Sequence, residues 1–241
     1  MKIISSSYWN QGKRSGNQDS LMIEQVNTRK GRVLLTAVSD GIGGLAEGET
    51  ASGFILEKLL QNFYEQILPL TGRGKGKKVL ERSLMRCLFN TNEMLKKYAE
   101  NRKIALGATV SVLLIFRKNF VAVHLGDSRI YRIYGNHKIK QITRDHSAGK
   151  NILTKCIGSF PYQSPQIIRG RIRSREGFLL CSDGFYHYLN KEVLAELLHP
   201  KEISCEEQIE KRLKELAEYG LKKGEQDNMS ALYVRCGRQK G

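Results

Sequence analysis

"VSDGIGGLAEGETAS", residues 38–52, is the stretch from which the rest of the chain is read. It joins an apolar run, "VLLTAVS" (33–39), to a segment of helical periodicity that begins near Glu49. At the joint stand Asp40 and then Gly41, Gly43 and Gly44. A single Asp-Gly pair is an ordinary turn, because Asp caps its own turn and Gly accepts positive φ. Here the pattern recurs. "FVAVHLG" (120–126) runs into Asp127, "GFLLCS" (177–182) into Asp183, and Asp227 directly precedes the final apolar run in "EQDNMSALYV". Apolar strands that end in aspartate deliver carboxylates to one edge of a buried sheet, where they repel unless cations hold them. Hard oxygen ligands without His or Cys company point to Mg²⁺ or Mn²⁺ rather than zinc.

Outward from that edge, further strand-like runs occupy 108–116, 120–126, 128–134, 137–143, 166–172, 177–182 and 230–236, short and rich in Val, Ile and Tyr. "RIYRIYGNHKIKQI" predicts a hairpin with Gly135-Asn136 at its turn. Helical periodicity covers about Glu49–Leu68, Val79–Asn101, Lys191–Leu198 and Glu206–Leu221. Two helices within a run of antiparallel strands, then two more before the last strand, predict sheet layers covered by helices in one domain, residues 1–241.

Composition narrows the function. The chain has 241 residues, 40% of them hydrophobic, enough for a substantial core. No run approaches a membrane span, and the start lacks the apolar core of a signal peptide, so the expectation is a cytoplasmic protein with no membrane segment. Five scattered cysteines without a CxxC pair argue against a zinc site or a disulfide framework. No cysteine has an arginine six residues later, which excludes the phosphate loop of cysteine-based phosphatases. The net charge of +16 suits acidic partners; "GRGKGKK" (72–78) is a basic spacer without P-loop spacing, and nothing resembles a nucleic-acid-binding signature.

Taken together, the motifs resemble the metal-dependent Ser/Thr protein phosphatases of type 2C, in their bacterial form. "RSGNQD" (14–19), "DGIGGLAEGETAS" (40–52), "GATVSVLLI" (107–115), "LGDSRIYRI" (125–133), "ITRDHS" (142–147), "NILTKCIGS" (151–159), "FLLCSDGF" (178–185) and "QDNMSALYV" (226–234) follow the family's order and approximate spacing. The resemblance implies an α+β fold, a four-layer αββα sandwich of two antiparallel sheets flanked by antiparallel helix pairs. It implies two Mn²⁺ or Mg²⁺ ions sharing Asp40, with the Gly41 carbonyl on one and Asp183 and Asp227 on the other. Asp19 would hold metal-bound water, Arg14 would clamp the substrate phosphate, and Asp127 would serve a weaker third metal site. Asn228 would support the Asp227 loop. The reaction implied is hydrolysis of phosphoserine and phosphothreonine in proteins by a cation-activated water, without a covalent intermediate. The implied partners are phosphorylated proteins, a bacterial Ser/Thr kinase and its targets among them, in signal transduction by a monomer. The alternative is a non-catalytic relative that binds a protein partner; loss of Asp40, Asp183 or Asp227 would have favoured it, and none is lost.

Three departures from the family pattern stand out. His187 takes a position usually acidic or small near the third metal, and Ile42 replaces a histidine that some relatives carry. Between "DHS" and "NILT" stand only Ala148, Gly149 and Lys150, where bacterial relatives carry a helical flap. The short segment implies an open cleft with weaker discrimination among substrates.

Overall fold

The structure, a computed structural model, describes residues 1–149, 152–173 and 175–237. Lys150 of the shortened flap and Asn151 of the "NILT" block after it lie outside the described residues. In chain order, three long strands come first: β1 (Lys2–Asn10), β2 (Asp19–Thr28) and β3 (Gly31–Asp40). Helices α1 (Gly48–Asn62), α2 (Leu68–Gly72) and α3 (Lys77–Arg102) follow. The middle of the chain holds β4 (Gly107–Ala108), β5 (Val110–Phe116), β6 (Asn119–Leu125), β7 (Arg129–Tyr134) and β8 (Ile139–Gln141). After β9 (Ile157–Gly158), β10 (Gln166–Arg171) and β11 (Glu176–Cys181) come α4 (Asp183–Tyr186), α5 (Lys191–Leu197) and α6 (Glu206–Lys222). Strand β12 (Met229–Gly237) closes the chain.

Two antiparallel five-stranded sheets form, in the orders β1-β12-β11-β7-β8 and β10-β6-β5-β3-β2. Three apolar cores make four layers of them. Ile55, Leu59 and Phe63 from the α1 side and Leu84, Leu88 and Leu95 of α3 pack on Leu35, Val112 and Val121 of the second sheet. Between the sheets, Leu34, Leu113 and Phe120 meet Ile130, Phe178 and Leu232, with the Phe120 and Phe178 rings edge to face at 5.1 Å. On the outer side of the first sheet, Leu179 and Tyr233 lie under Ile209, Leu213 and Leu216 of α6. The implied αββα sandwich is therefore the observed architecture. It explains why "VSVLLIF" reads as apolar but for Ser111: β5 is buried throughout, one face under helices and the other under a sheet.

Several local expectations need revision. Strands β1 and β2 gave no sequence signal as strands. Both are edge strands, and the polar run Ser5–Ser7 satisfies pairing with β12 without an apolar pattern. The 49–68 helix is not continuous: a π-helical turn, Phe63–Ile67, precedes α2. Pro69 has no N–H to give to the preceding turn, which opens the ladder there. Helix α3 starts two residues before its apolar periodicity, at Lys77. The 134–138 turn includes His137 at φ 61° as well as Gly135 and Asn136, because Ile133 pairs with Ile139 and Tyr134 N donates to Lys138 O at 2.8 Å. An extra residue in the left-handed region makes it a three-residue loop.

Candidate active site

The register of the second sheet brings the aspartates together. Asp19 opens β2 and Asp40 ends β3, and the two are paired residues in the ladder. Beside them β5 and β6 pair Val110 with Leu125, so Gly126 and Asp127 emerge at the same edge. From the first sheet, Asp183 begins α4 just after β11, and Asp227 lies two residues before β12. A cleft of about 1150 Å³ opens over this edge, lined by Arg14, Asp40, Gly41, Asp127, Asp183 and Asp227. Its far wall carries Ile152 and Phe160, both exposed.

Backbone hydrogen bonds fix the frame. Thr109 N donates to Asp40 O at 2.8 Å, and Asp40 N donates to Thr109 Oγ1 at 3.1 Å. Gly41 N donates to Gln18 O at 3.1 Å and Ile42 N to Gly107 O at 2.9 Å. Glycine at 41 is required by packing: a Cβ there would lie 2.6 Å from the Gly48 carbonyl at the start of α1 and 2.9 Å from Gln18 Cβ. The long helix thus presses directly on the Asp40 turn. Gly126 is constrained twice, by φ +111° and by Thr109, whose Cβ would stand 2.4 Å from an added methyl. Gly126→Ala is expected to cost roughly 2–4 kcal/mol, read from denaturant unfolding, through strain and overpacking behind Asp127.

Electrostatics mark the edge as strained. Burial, then repulsion from Asp19 and Asp183, pushes the Asp40 carboxyl well above the usual range. Asp19 is 4% exposed, and burial pushes it up to about 6 despite a hydrogen bond from Ser182 Oγ at 2.9 Å. Its other oxygen, Oδ1, is buried without a donor. Burial and Asp183 push Asp127 up to about 6, and burial with Asp227 raises Asp183. No three acidic, His or Cys side chains among the described residues already converge to enclose an ion. The donor set nevertheless fits one: crowded carboxylates, an orphaned buried oxygen and only hard ligands are what a divalent cation relieves.

Arg14 and Asp227 are engaged with each other. Arg14 Nε and Nη2 donate to the two Asp227 oxygens at 2.9 and 2.7 Å, which raises the Arg14 pKa. Asn228 ties this loop to the 11–18 loop, accepting from Gln18 N at 2.9 Å and donating to the carbonyls of Gln11 and Gly16. Sequence reading missed Glu225. Its buried carboxylate accepts from Gln226 N at 2.8 Å and Asp227 N at 2.9 Å, and its other oxygen meets His187 Nδ1 at 3.2 Å. His187 therefore braces the Asp227 loop through Glu225. An acid two residues before an aspartate is too common a spacing to have signalled this. Cys156 lines the cleft, but burial pushes its thiol up to about 11, so it is a wall and not a nucleophile.

Comparison with known proteins agrees with this frame. Residues 10–220 match the family described as protein phosphatase 2C. The chain is 25% identical over 211 residues to protein phosphatase PhpP of Streptococcus pneumoniae, covering 79% of this chain and 78% of that one. It is similar to the crystal structure of a Ser/Thr phosphatase, Stp1 of Staphylococcus aureus, with TM-score 0.82, 26% identity and coverage of 100% and 96%. The fold also matches the catalytic domain of the phosphatase PstP in complex with two manganese ions, with TM-score 0.78, 23% identity and coverage of 98% and 99%. An apolar sandwich with aspartates at one rim, matched along nearly its whole length, leads to one assignment: the chain belongs to the protein phosphatase 2C family and is a protein phosphatase.

Proposed function

We propose that residues 1–241 form one catalytic domain that removes phosphate from phosphoserine and phosphothreonine of proteins. The observation that carries this reading is the gathering of Asp19, Asp40, Asp127 and Asp183 at one rim, all with carboxyls raised by burial. Asp40 and the Gly41 carbonyl, with Asp183 and Asp227, would hold two Mn²⁺ or Mg²⁺ ions; Asp19 would hold coordinated water, and Asp127 would serve a weaker third site. Cations so bound supply Lewis acidity and a nucleophile from water at neutral pH. The manganese in the PstP structure supports this choice of metal. Phosphorylated proteins are the substrates, a bacterial Ser/Thr kinase and its targets among them.

Arg14 contributes binding and orientation. Its guanidinium is 56% exposed at the cleft, and its planar fork matches two phosphate oxygens as well as it matches Asp227. An arriving phosphate monoester competes for that fork and frees Asp227. Asn228 and Glu225 keep the loop in place while this exchange occurs. Steady-state kinetics of Arg14→Ala on a phosphothreonine peptide test the reading: kcat/KM is expected to fall roughly 10–100-fold, the loss of a charge-assisted pair of hydrogen bonds. An unchanged kcat/KM would remove Arg14 from substrate binding.

A further inference from the structure

The pole of the molecule opposite the carboxylates is as basic as the rim is acidic. Strand β3 runs from Gly31 at that pole to Asp40 at the rim, and its 10 residues put roughly 30 Å between the two ends. Four connections meet at the basic pole, at 28–32, 72–78, 116–119 and 171–175. Together they hold twelve of the forty Lys and Arg residues, and no Asp or Glu. They are contiguous. A methyl at Gly74 would stand 3.3 Å from Lys30 Nζ and 3.8 Å from Arg117 Nη2, and Ile172 N donates to Lys118 O at 2.8 Å. Among the described residues none of the twelve is in an ion pair, and ten are exposed.

Folding does not ask for this arrangement. The 26-residue α3 starts here with Gly76 as its N-cap, without a side-chain cap bond and with no acid in its first turn. Lys77 and Lys78 instead stand at the positive end of its dipole, where carboxylates would stabilise the helix. Like charges are thus concentrated against local stability, which points to an anionic partner. Among the described residues the four connections carry no exposed Trp, Tyr or Phe on which bases could stack. Four adjoining connections form this end of the sandwich and present their charges together, as contact with a flat charged surface requires.

We infer that the basic pole formed by these four connections is a docking surface for the acidic phospholipid headgroups of a membrane. None of the described helices is long and apolar enough to cross a membrane, and surface binding through lysines and arginines needs no span. Docked this way, the protein holds its catalytic rim about 30 Å from the bilayer, facing away from it.

Sedimentation with phosphatidylglycerol-containing vesicles and with pure phosphatidylcholine vesicles tests the inference on the full chain. Wild type is expected to partition to the acidic vesicles alone, and to leave them at high salt as screening shortens the reach of the charges. The triple variant Lys75→Glu, Lys77→Glu, Lys78→Glu is expected to lose binding tenfold or more. Its phosphopeptide turnover should be unchanged and its melting temperature equal or higher, since glutamates suit the first turn of α3. Arg117→Glu with Lys118→Glu, on a different connection, should weaken binding in the same direction. Equal sedimentation with neutral vesicles, or undiminished binding by both charge-reversal variants, would overturn the inference. So would failure of wild type to bind acidic vesicles, or its displacement from them by duplex DNA at equal phosphate concentration.

Discussion

Asp40→Asn is expected to remove turnover and, at the same time, make the cation-free protein more stable. The two effects have one cause. Asp40 faces repulsion from Asp19, Asp183, Asp127 and Asp227 in a site where burial already disfavours its charge. A neutral amide of nearly the same shape relieves that repulsion and keeps the backbone bonds to Thr109. The melting temperature without metal should rise by a few degrees, the size of an about 1–2 kcal/mol change in a chain of this length. With Mn²⁺ the order should reverse, because the variant gives up much of the cation's stabilisation. Phosphate release should fall on the order of 10³-fold, as expected when charge stabilisation at the reacting centre is lost. Paired melting curves with and without Mn²⁺ check the claim. A variant less stable than wild type under both conditions would show that the rim is held by ordinary packing.

The second large effect is a pH-dependent gain in stability from the cation. Asp127 has a folded pKa of about 6 against the ordinary 3.8, so in the metal-free protein the folded state binds more protons than the unfolded state between those values. Stability from that group is present at low pH and is lost as pH rises from about 4 to 6, on the order of 3 kcal/mol in all. Asp19, also raised to about 6, acts in the same direction. Buried His124 acts in the opposite one: burial lowers it to about 3, so its stabilising neutral state is favoured as pH rises through the same window. His124 is the same with and without metal, and it cancels in the difference between the two melting curves. That difference is expected to be small at pH 4.5 and to grow until the carboxylates are fully charged, above about pH 7. A gain from Mn²⁺ that does not change across this range would mean that the cation binds elsewhere.

How far the sequence could be read depended on where each residue sits. Strands buried on both faces, such as β5 and β6, advertised themselves as apolar runs. Strands β1 and β2 did not: β1 is interrupted by Ser5–Ser7, and β2 is mostly half-buried with polar residues among its apolar ones. Helices α3 and α6 were legible from stripes of leucine, whereas the π-turn before Pro69 was hidden inside a continuous apolar pattern. Asp40, Asp127 and Asp183 were visible because each follows an apolar run beside a turn residue, and Asp227 because it directly precedes the last one; Asp19 came only through the resemblance. What surrounds them was less so. The Arg14–Asp227 pair spans 213 residues of sequence, and the Glu225–His187 contact 38, and nothing in local pattern reports such distances. The resemblance assigned Arg14 and Asp227 separate tasks; the structure adds that the two side chains are paired with each other. The glycine of Asp40-Gly41 is likewise explained by the approach of α1, which only the fold reveals.

Whether the rim aspartates hold catalytic cations is decided by phosphate release from a phosphothreonine peptide, measured with EDTA, Mg²⁺ and Mn²⁺ in parallel for wild type and Asp183→Asn. Turnover is expected only with added cation, and is expected to collapse in the variant. Undiminished turnover in EDTA, or an Asp183→Asn protein as active as wild type, would contradict this expectation.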